Sequence, residues 1–186
     1  MEDRALAFID TETTGLDPTR HEVIEIGCVI AVSQPMLLGT PTLTIARELE
    51  IKIVPEHIET ADPGALRVNG YNTRDWSDAI PLQVAMETLV AAVQGAIVVG
   101  QNVAFDWSFL VNAAGKTKVP LDRAVFYAKL DLGSIARGKF AGQAVVPAKY
   151  TLRGLCEHFG IKNEQAHTAL SDAKATFEIY KRLLHT

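Results

Sequence analysis

The stretch Phe8-Ile9-Asp10-Thr11-Glu12-Thr13-Thr14-Gly15-Leu16 decides how this chain folds. The apolar run over residues 5–9 predicts a β-strand that is buried on both faces. Side chains alternate along a strand, so Asp10 and Glu12 share one face where the strand leaves the core. Neighbouring carboxylates repel each other unless positive charge lies between them. Because Mg²⁺ takes oxygen ligands, usually with one or two carboxylates, we expect a metal site here with further ligands elsewhere in the chain.

Composition is that of one globular domain, and we expect a single domain over residues 1–186. The formal net charge of -4 argues against a protein that holds nucleic acid by bulk positive charge, but not against an enzyme whose metals meet the phosphate. Cys28 and Cys156 lie in apolar contexts and are predicted to be core thiols, which suits a reducing cytoplasm. The chain begins without a basic and apolar leader, and no apolar run approaches membrane-spanning length. We therefore expect a cytoplasmic protein with no membrane partner.

Hydrophobic periodicity predicts an α/β fold with a mixed, twisted central sheet. An antiparallel meander comes first, and a helix followed by a buried strand then implies a parallel crossover. Helices should cover both faces. The predicted strands cover residues 5–9, 22–32, 42–54, 96–100 and 125–129, and the predicted helices cover residues 61–70, 81–93, 102 onward, 132–138, 151–160 and 168 onward.

Two more carboxylates and a histidine fall near predicted sheet edges. Asp106 comes in the first turn of a helix directly after a strand, and Asp172 lies near the start of the last helix with His167 shortly before it. Sheets of this class bind ligands at the carboxyl ends of their strands. Four converging acidic groups would hold two metal ions about 3.5–4 Å apart, which suits in-line phosphoryl displacement. A neutral histidine beside them can accept a proton from the attacking water.

Three motifs carry a resemblance to a known family. They are Phe8-Ile9-Asp10-Thr11-Glu12-Thr13-Thr14-Gly15-Leu16, Asn102-Val103-Ala104-Phe105-Asp106 and His167-Thr168-Ala169-Leu170-Ser171-Asp172-Ala173. In these motifs, and in their order and spacing over nearly the whole chain, the sequence resembles the DEDDh exonucleases. That branch of the ribonuclease H-like superfamily includes polymerase proofreading subunits, ribonuclease T and oligoribonuclease.

The resemblance implies a metal-dependent 3′–5′ exonuclease that acts on single-stranded ends and releases nucleoside 5′-monophosphates. It implies two Mg²⁺ ions, with Mn²⁺ as a substitute. Asp10 would bridge both ions, while Glu12 and Asp172 would complete the site of the ion that activates water. Asp106 would hold the second ion, largely through water, and His167 would be the general base.

The same resemblance implies a site for the terminal nucleotide. The segment after the first acidic pair would lie against that nucleotide, with Leu16 as the apolar wedge at the last base. The implied substrate-binding residues are Thr13, Thr14, Gly15, Leu16, Asn102 and Phe105. Many relatives carry a His-Gly pair where this chain has Asn69-Gly70, so a substrate contact there is expected to differ. Asp131-Leu132-Gly133 also replaces the usual Asp-Thr.

Structural alternatives exist for these residues. Asp10 and Glu12 could be a solvated strand end, and Asp106 could simply stabilise a helix N-terminus. Phe109 is interpreted as core, and packing is favoured over base stacking for both tryptophans. The histidines other than His167 have no partner in the motifs and are interpreted as ordinary surface residues; they are His21, His57, His158 and His185.

The partners expected are single-stranded DNA or RNA 3′ ends, with DNA slightly favoured. A second hypothesis is a catalytically silent adaptor that binds nucleic acid or protein with the same fold. The intact acidic set disfavours it, because a module freed from catalysis gains nothing from mutually repelling carboxylates. The sequence shows no polymerase-binding tail after the last helix, which favours a standalone nuclease or one recruited by a protein partner. A homodimer stays open.

Overall fold

A five-stranded mixed sheet organises the protein, in a computed structural model that describes residues 4–34, 42–163 and 166–185. The spatial order of the strands is β3-β2-β1-β4-β5. The β1–β2 and β2–β3 pairs are antiparallel, whereas the β1–β4 and β4–β5 pairs are parallel. The strands are β1 (Leu6–Thr13), β2 (Val23–Gln34), β3 (Thr42–Lys52), β4 (Ile97–Gly100) and β5 (Lys129–Asp131). The predicted α/β class and the meander followed by parallel strands are confirmed.

Helices fill the connections between and after the strands. A short 3₁₀ turn (Ile58–Thr60) precedes the first of them. They are α1 (Pro63–Val68), α2 (Leu82–Ala92), α3 (Val103–Thr117), α4 (Leu121–Ala124), α5 (Leu132–Phe140), α6 (Leu152–Phe159) and α7 (Ala169–Leu184). Thr151 caps α6 by accepting a hydrogen bond from the Gly154 amide, as its sequence position predicts.

The two faces of β1 belong to two different cores. Phe8 faces α7 and meets the ring of Phe177 edge-on, with 5.3 Å between ring centroids. Ala7 and Ile9 face the opposite layer, which contains α2 and α3. Because side chains alternate, Asp10 and Glu12 continue the Phe8 face and emerge on the α7 side of the sheet.

The last strand lies later than predicted. Residues 125–129 were expected to form it, but β5 is Lys129–Asp131. The hydrophobic residue Val125 is instead buried at the end of the short helix α4, which the sequence pattern did not predict. Asp131 at the end of β5 caps α5 and also accepts a hydrogen bond from the Val103 amide at the start of α3. This cap fixes the strand end at Asp131.

The other structural predictions concern cysteines and membranes. Cys28 and Cys156 are both buried and unpaired, as the sequence predicted for core thiols. Within the described ranges, no helix combines the length and apolarity that crossing a bilayer requires.

Candidate active site

The close approach of α7 to the sheet builds the centre of the site. Gly27 is the β2 partner of Asp10, and a Cβ at Gly27 would lie 2.1 Å from the Ala169 backbone at the start of α7. Only a glycine leaves room for a helix end at this distance. Asp172, in the first turn of α7, is thereby brought to the carboxylates of β1. One ligand atom from each of Glu12, His167 and Asp172 lies within 4.8 Å of the other two.

Asp106 reaches the end of β1 from the opposite layer. It lies in the first turn of α3 and is 4% exposed. Its Oδ1 accepts hydrogen bonds from the Thr11 amide at 2.8 Å and from the Thr11 hydroxyl at 2.7 Å. Thr11 stands between Asp10 and Glu12 in sequence. These hydrogen bonds hold Asp106 at the same strand end, and its Oδ2 takes part in neither of them.

Both oxygens of Asp172 accept hydrogen bonds from the segment that carries His167. The Asn163 side-chain amide donates to Oδ1, and the His167 backbone amide donates to Oδ2 at 3.4 Å. The Ser171 hydroxyl in turn donates to the Asn163 carbonyl oxygen at 2.6 Å. His167 has a φ of 68°, in the left-handed region that is uncommon for a residue with a Cβ. Its side chain is exposed beside Asp172.

Burial raises the pKa values of all four carboxylates, and repulsion within the set adds to the shift for Asp10, Glu12 and Asp106. Burial, and then the negative charges of Asp106, Asp172 and Glu12, hold the pKa of Asp10 well above its usual range. Burial and the charge of Asp172 raise the pKa of Glu12 to about 8. Burial raises the pKa of Asp106 to about 7, although the Thr11 hydrogen bonds oppose this shift. Burial likewise raises the pKa of Asp172. A cluster of oxygen donors that repel each other in this way suits hard divalent cations.

An ion pair whose carboxylate is fully buried lies next to these acidic residues. Glu25 is the β2 partner of Glu12, and its side chain is 0% exposed. Arg74 binds it through two parallel hydrogen bonds, from Nη1 to Oε2 at 2.7 Å and from Nη2 to Oε1 at 2.6 Å. No pattern in the sequence predicts this pair, because Glu25 belongs to none of the three motifs and Arg74 is distant in sequence.

Internal hydrogen bonds hold the loop after β1. The Thr13 hydroxyl donates to the Gly15 carbonyl oxygen at 2.7 Å, and the Thr14 hydroxyl accepts from the Glu22 amide at 2.8 Å. A Cβ at Gly15 would clash with the His21 ring at 2.5 Å. Leu16, by contrast, is 78% exposed. Thr13, Thr14 and Gly15 therefore form the support that presents Leu16.

A pocket of about 380 Å³ lies between this loop and α1. Glu12 and Leu16 contribute to its wall together with Phe105, whose ring packs on Phe109 with 5.0 Å between centroids. Its full lining is Thr11, Glu12, Thr13, Leu16, Asp62, Gly64, Ala65, Val68, Asn69 and Phe105. No motif in the sequence predicted that α1 forms part of the pocket wall. Asn102 is exposed in front of α3 in a left-handed conformation.

Asn69 is a structural tie at the edge of this pocket. It is 2% exposed, its Nδ2 donates to the Thr13 carbonyl oxygen at 3.0 Å, and its Oδ1 accepts from the Tyr71 amide at 3.1 Å. Its side chain thus holds the loop that carries Leu16. The expected difference in a substrate contact from relatives with the His-Gly pair stays a prediction.

A second, larger groove begins on the other side of the carboxylates. It has a volume of about 560 Å³ and runs along α6, with Asp172 and His167 at one end. Lys162 contributes a positive charge to its wall, whereas Arg153 pairs there with Glu157 at 2.9 Å. Glu12 lines the pocket on the α1 side and Asp172 lines the groove on the α6 side, and a ligand atom of each lies within 4.8 Å of the other.

A family model described as an exonuclease family, RNase_T, matches residues 7–180. The chain belongs to this exonuclease family. The match includes all three motifs and both layers that carry the acidic residues. Its activity class is that of a 3′–5′ exonuclease, a hydrolase of phosphodiester bonds.

Similar proteins include a DNA polymerase III subunit and a ribonuclease. DNA polymerase III subunit epsilon of Rickettsia felis is 29% identical over 180 residues, covering 95% of this chain and 72% of that protein. Ribonuclease T of Wigglesworthia glossinidia brevipalpis is 26% identical over 187 residues, covering 95% of this chain and 83% of that protein.

The solved structures with the same fold are longer chains. Exonuclease I of E. coli in complex with single-stranded DNA has a TM-score of 0.72 and 18% identity, covering 97% of this chain and 40% of that chain. Exonuclease I of Methylocaldum szegediense has a TM-score of 0.75 at 18% identity, and this exonuclease spans 40% of its length. At this level of identity the likeness shows the fold.

Phe109 and both tryptophans make the packing contacts that the sequence predicted. Phe109 is 2% exposed and belongs to the core of this exonuclease, as predicted. The rings of Trp76 and Tyr71 pack with 4.8 Å between centroids, and Lys129 lies 4.0 Å over the ring of Trp107, so both tryptophans make packing contacts.

His21 and His158 are not ordinary surface residues. The His21 Nδ1 accepts a hydrogen bond from the Asp17 amide at 3.1 Å, and its ring supports Gly15. The half-buried His158 meets the ring of Phe140 edge-on at 4.9 Å. The interpretation was wrong for these two because their partners lie in contacts that no motif encodes. His57 and His185 are exposed, as predicted.

Proposed function

We propose that residues 1–186 form one exonuclease domain that removes nucleotides from the 3′ end of single-stranded nucleic acid as 5′-monophosphates. The observation that supports this most is that Glu12 of the pocket and Asp172 of the groove bring their ligand atoms within 4.8 Å of each other. The pocket volume falls in the range of small-ligand sites and suits one nucleotide. The groove suits the strand that precedes it. Carboxylates at the boundary would meet the last phosphodiester bond.

The acidic residues would hold two divalent ions, Mg²⁺ or Mn²⁺. Asp10 would contact both, Glu12 and Asp172 would bind the ion beside His167, and Asp106 would bind the other. Such ions lower the pKa of bound water and stabilise the negative charge of the attacking and leaving oxygens. Asp106 is oriented for this role because Thr11 holds its Oδ1.

His167 would be the general base. Its ring has a ligand atom within 4.8 Å of those of Glu12 and Asp172, so a water held by these residues lies within reach of the imidazole. In its neutral form the imidazole accepts the proton of the attacking water. Its backbone amide bonds to Asp172, which ties the base to a metal ligand.

The terminal nucleotide would occupy the pocket beside Leu16. Leu16 and Phe105 offer apolar surface for a base, and an apolar contact tolerates every base because each has a π-face. Asn102 would contact the same nucleotide from the start of α3. Thr13, Thr14 and Gly15 would act through the loop conformation that places Leu16.

The substrate polymer and the partners belong to this proposal too. We favour DNA slightly over RNA, because the identity is 29% with the DNA polymerase III subunit and 26% with the ribonuclease T, while the 2′-hydroxyl contact that would decide is not encoded in a motif. A protein partner or a homodimer stays a prediction. The cytoplasmic location inferred from the cysteines stays a prediction.

A gel time course tests the activity. End-labelled single-stranded DNA and RNA of matched sequence are incubated with the protein and Mg²⁺, Mn²⁺ or chelator. We expect stepwise shortening from the 3′ end that requires metal. His167→Ala should slow it by roughly 10²–10⁴-fold. His185→Ala, at an exposed position after α7, is the matched control and should cleave at the wild-type rate.

Two outcomes would contradict the proposal. Shortening that continues unchanged in His167→Ala would reject the general base. Intact substrate under every metal condition would reject the autonomous nuclease and favour the adaptor. The faster polymer identifies the substrate class.

A further inference from the structure

The Glu25–Arg74 ion pair lies at the same strand end as the carboxylates of the site. Glu25 stands opposite Glu12 in the β1–β2 register, at the point where a bulge interrupts the pairing. Its carboxylate is completely buried, and the Arg74 side chain is 22% exposed. A buried charge needs a partner with good geometry, and the two parallel hydrogen bonds supply it.

Arg74 also belongs to a turn that supports the nucleotide pocket. Its Nη1 donates to the Asn69 carbonyl oxygen at 3.2 Å, and its guanidinium lies 5.3 Å from the centroid of the Trp76 ring. Asn69 holds the Thr13 carbonyl oxygen. Arg74 therefore connects the buried carboxylate to the segment that carries Leu16.

The charges of this pair act on the site in opposite directions. Residues directly opposite each other in an antiparallel pair share a face of the sheet, so the negative charge of Glu25 lies beside Glu12. The positive charge of Arg74 lies at the same place, because its Nη2 is 2.6 Å from Glu25 Oε1. A nearby negative charge attracts a cation bound to the carboxylates, and a nearby positive charge repels it.

We infer that Glu25 and Arg74 are positioning residues whose balanced charges set how tightly the carboxylates at the end of β1 hold divalent ions. This inference rests on the proposed metal site. The bidentate contact keeps the net charge of the pair near zero beside Glu12. Removing either partner leaves an unbalanced charge within the low-dielectric strand end, where screening by salt is weak.

Mn²⁺ titration by calorimetry, without nucleic acid, tests this inference in a double-mutant cycle. Glu25→Gln leaves the positive charge of Arg74 and should weaken Mn²⁺ binding by at least roughly threefold. Arg74→Met leaves the negative charge of Glu25 and should tighten binding by at least roughly threefold. The double variant has no net change in charge and should return to the wild-type dissociation constant. Arg74→Lys keeps the charge without the two-pronged contact and should stay near wild type.

A purely structural role gives a different pattern. It would weaken binding in both single variants, and the double variant would be no better than the weaker of them. That pattern, or unshifted constants in all variants, overturns the inference. If Arg74→Met does not fold, Glu25→Gln compared with the double variant decides, because the charge model requires binding to recover when Arg74 is also removed. A wild-type protein that binds no Mn²⁺ would instead reject the proposed metal site itself.

Discussion

The backbone of Ala169 occupies the space that a side chain at Gly27 would need, because a Cβ at Gly27 would lie 2.1 Å from the Ala169 backbone. This contact sets the distance between α7 and the sheet. Asp172 lies in the first turn of α7, and His167 lies just before that helix. The backbone cannot move aside as a flexible side chain can.

Gly27→Ala should therefore separate α7 from β2. We expect a loss of stability of about 2–3 kcal/mol from overpacking, which lowers the Tm by roughly 5–10 °C. Activity at a temperature where the variant is folded should fall by at least tenfold, roughly, because Asp172 moves from Glu12. Thermal unfolding and the gel assay measure both. In Gly138→Ala the new Cβ meets nothing within 4 Å, so this control should keep full activity and gain about 0.5–1 kcal/mol. Equal behaviour of the two variants would contradict the role of Gly27.

The metal-free protein should become less stable as the pH rises from about 5 to about 8. The pKa values of Glu12 and Asp106 are raised to about 8 and about 7, above those of the unfolded chain. The folded state then binds more protons than the unfolded state within this window, so the free energy of unfolding falls with pH. Differential scanning fluorimetry in chelator should show it.

Added Mg²⁺ should reverse this trend. Metal requires the deprotonated carboxylates, so the increase in Tm should be larger at pH 8 than at pH 5. Asp106→Asn should flatten the pH dependence in chelator because it removes one of the raised groups. A Tm that rises with pH in chelator would contradict the electrostatic account of the cluster.

Leu16→Ala should impair substrate binding without affecting the fold. Leu16 is 78% exposed, so its truncation opens no cavity in the core. The lost apolar contact with a terminal base should cost about 1–2 kcal/mol, or roughly 5- to 30-fold in kcat/KM. Val145→Ala truncates another side chain, which is 73% exposed, and serves as the control. A KM that responds equally to both changes would argue against a terminal-nucleotide site at Leu16.

Asn163→Ala should disturb the base and a metal ligand together. Asn163 donates to Asp172 and accepts from Ser171, so its loss leaves Asp172 with fewer fixed contacts. Removing such supporting hydrogen bonds typically reduces metal affinity or activity about 10–100-fold. Ser171→Ala removes only the outer hydrogen bond and should have a smaller effect. Single-turnover rates at several metal concentrations separate affinity from chemistry; if Ser171→Ala proved the more damaging of the two, the proposed order of support would be wrong.

Patterns in the sequence were enough for much of the architecture. The apolar run before Asp10 placed β1, and the alternation over residues 22–32 placed most of β2, because burial on a strand follows a period of two residues. The boundary of β5 was misjudged because Val125 is buried by a short helix, a contact that periodicity cannot distinguish from burial in a strand.

The contacts that support the motifs could not be predicted from the periodicity of the sequence. Thr11 bonds to Asp106 across 95 residues, and Arg74 pairs with Glu25 across 49. Such long-range pairs leave no periodic pattern in the sequence, because each residue fits only the local pattern of its own strand or turn. Gly27 belongs to no motif either. Its role is visible only in the structure, where α7 packs against it.

The sequence by itself determined the fold class, because short-range spacing fixes which side chains share a strand face or a helix turn, and its three motifs carried the resemblance to the exonuclease family and the prediction of the acidic set with His167. The tertiary structure decided the distance between those elements, the buried Glu25–Arg74 pair and the inward orientation of Asn69. These depend on packing between segments that are remote in sequence, and packing is resolved only when the whole core closes.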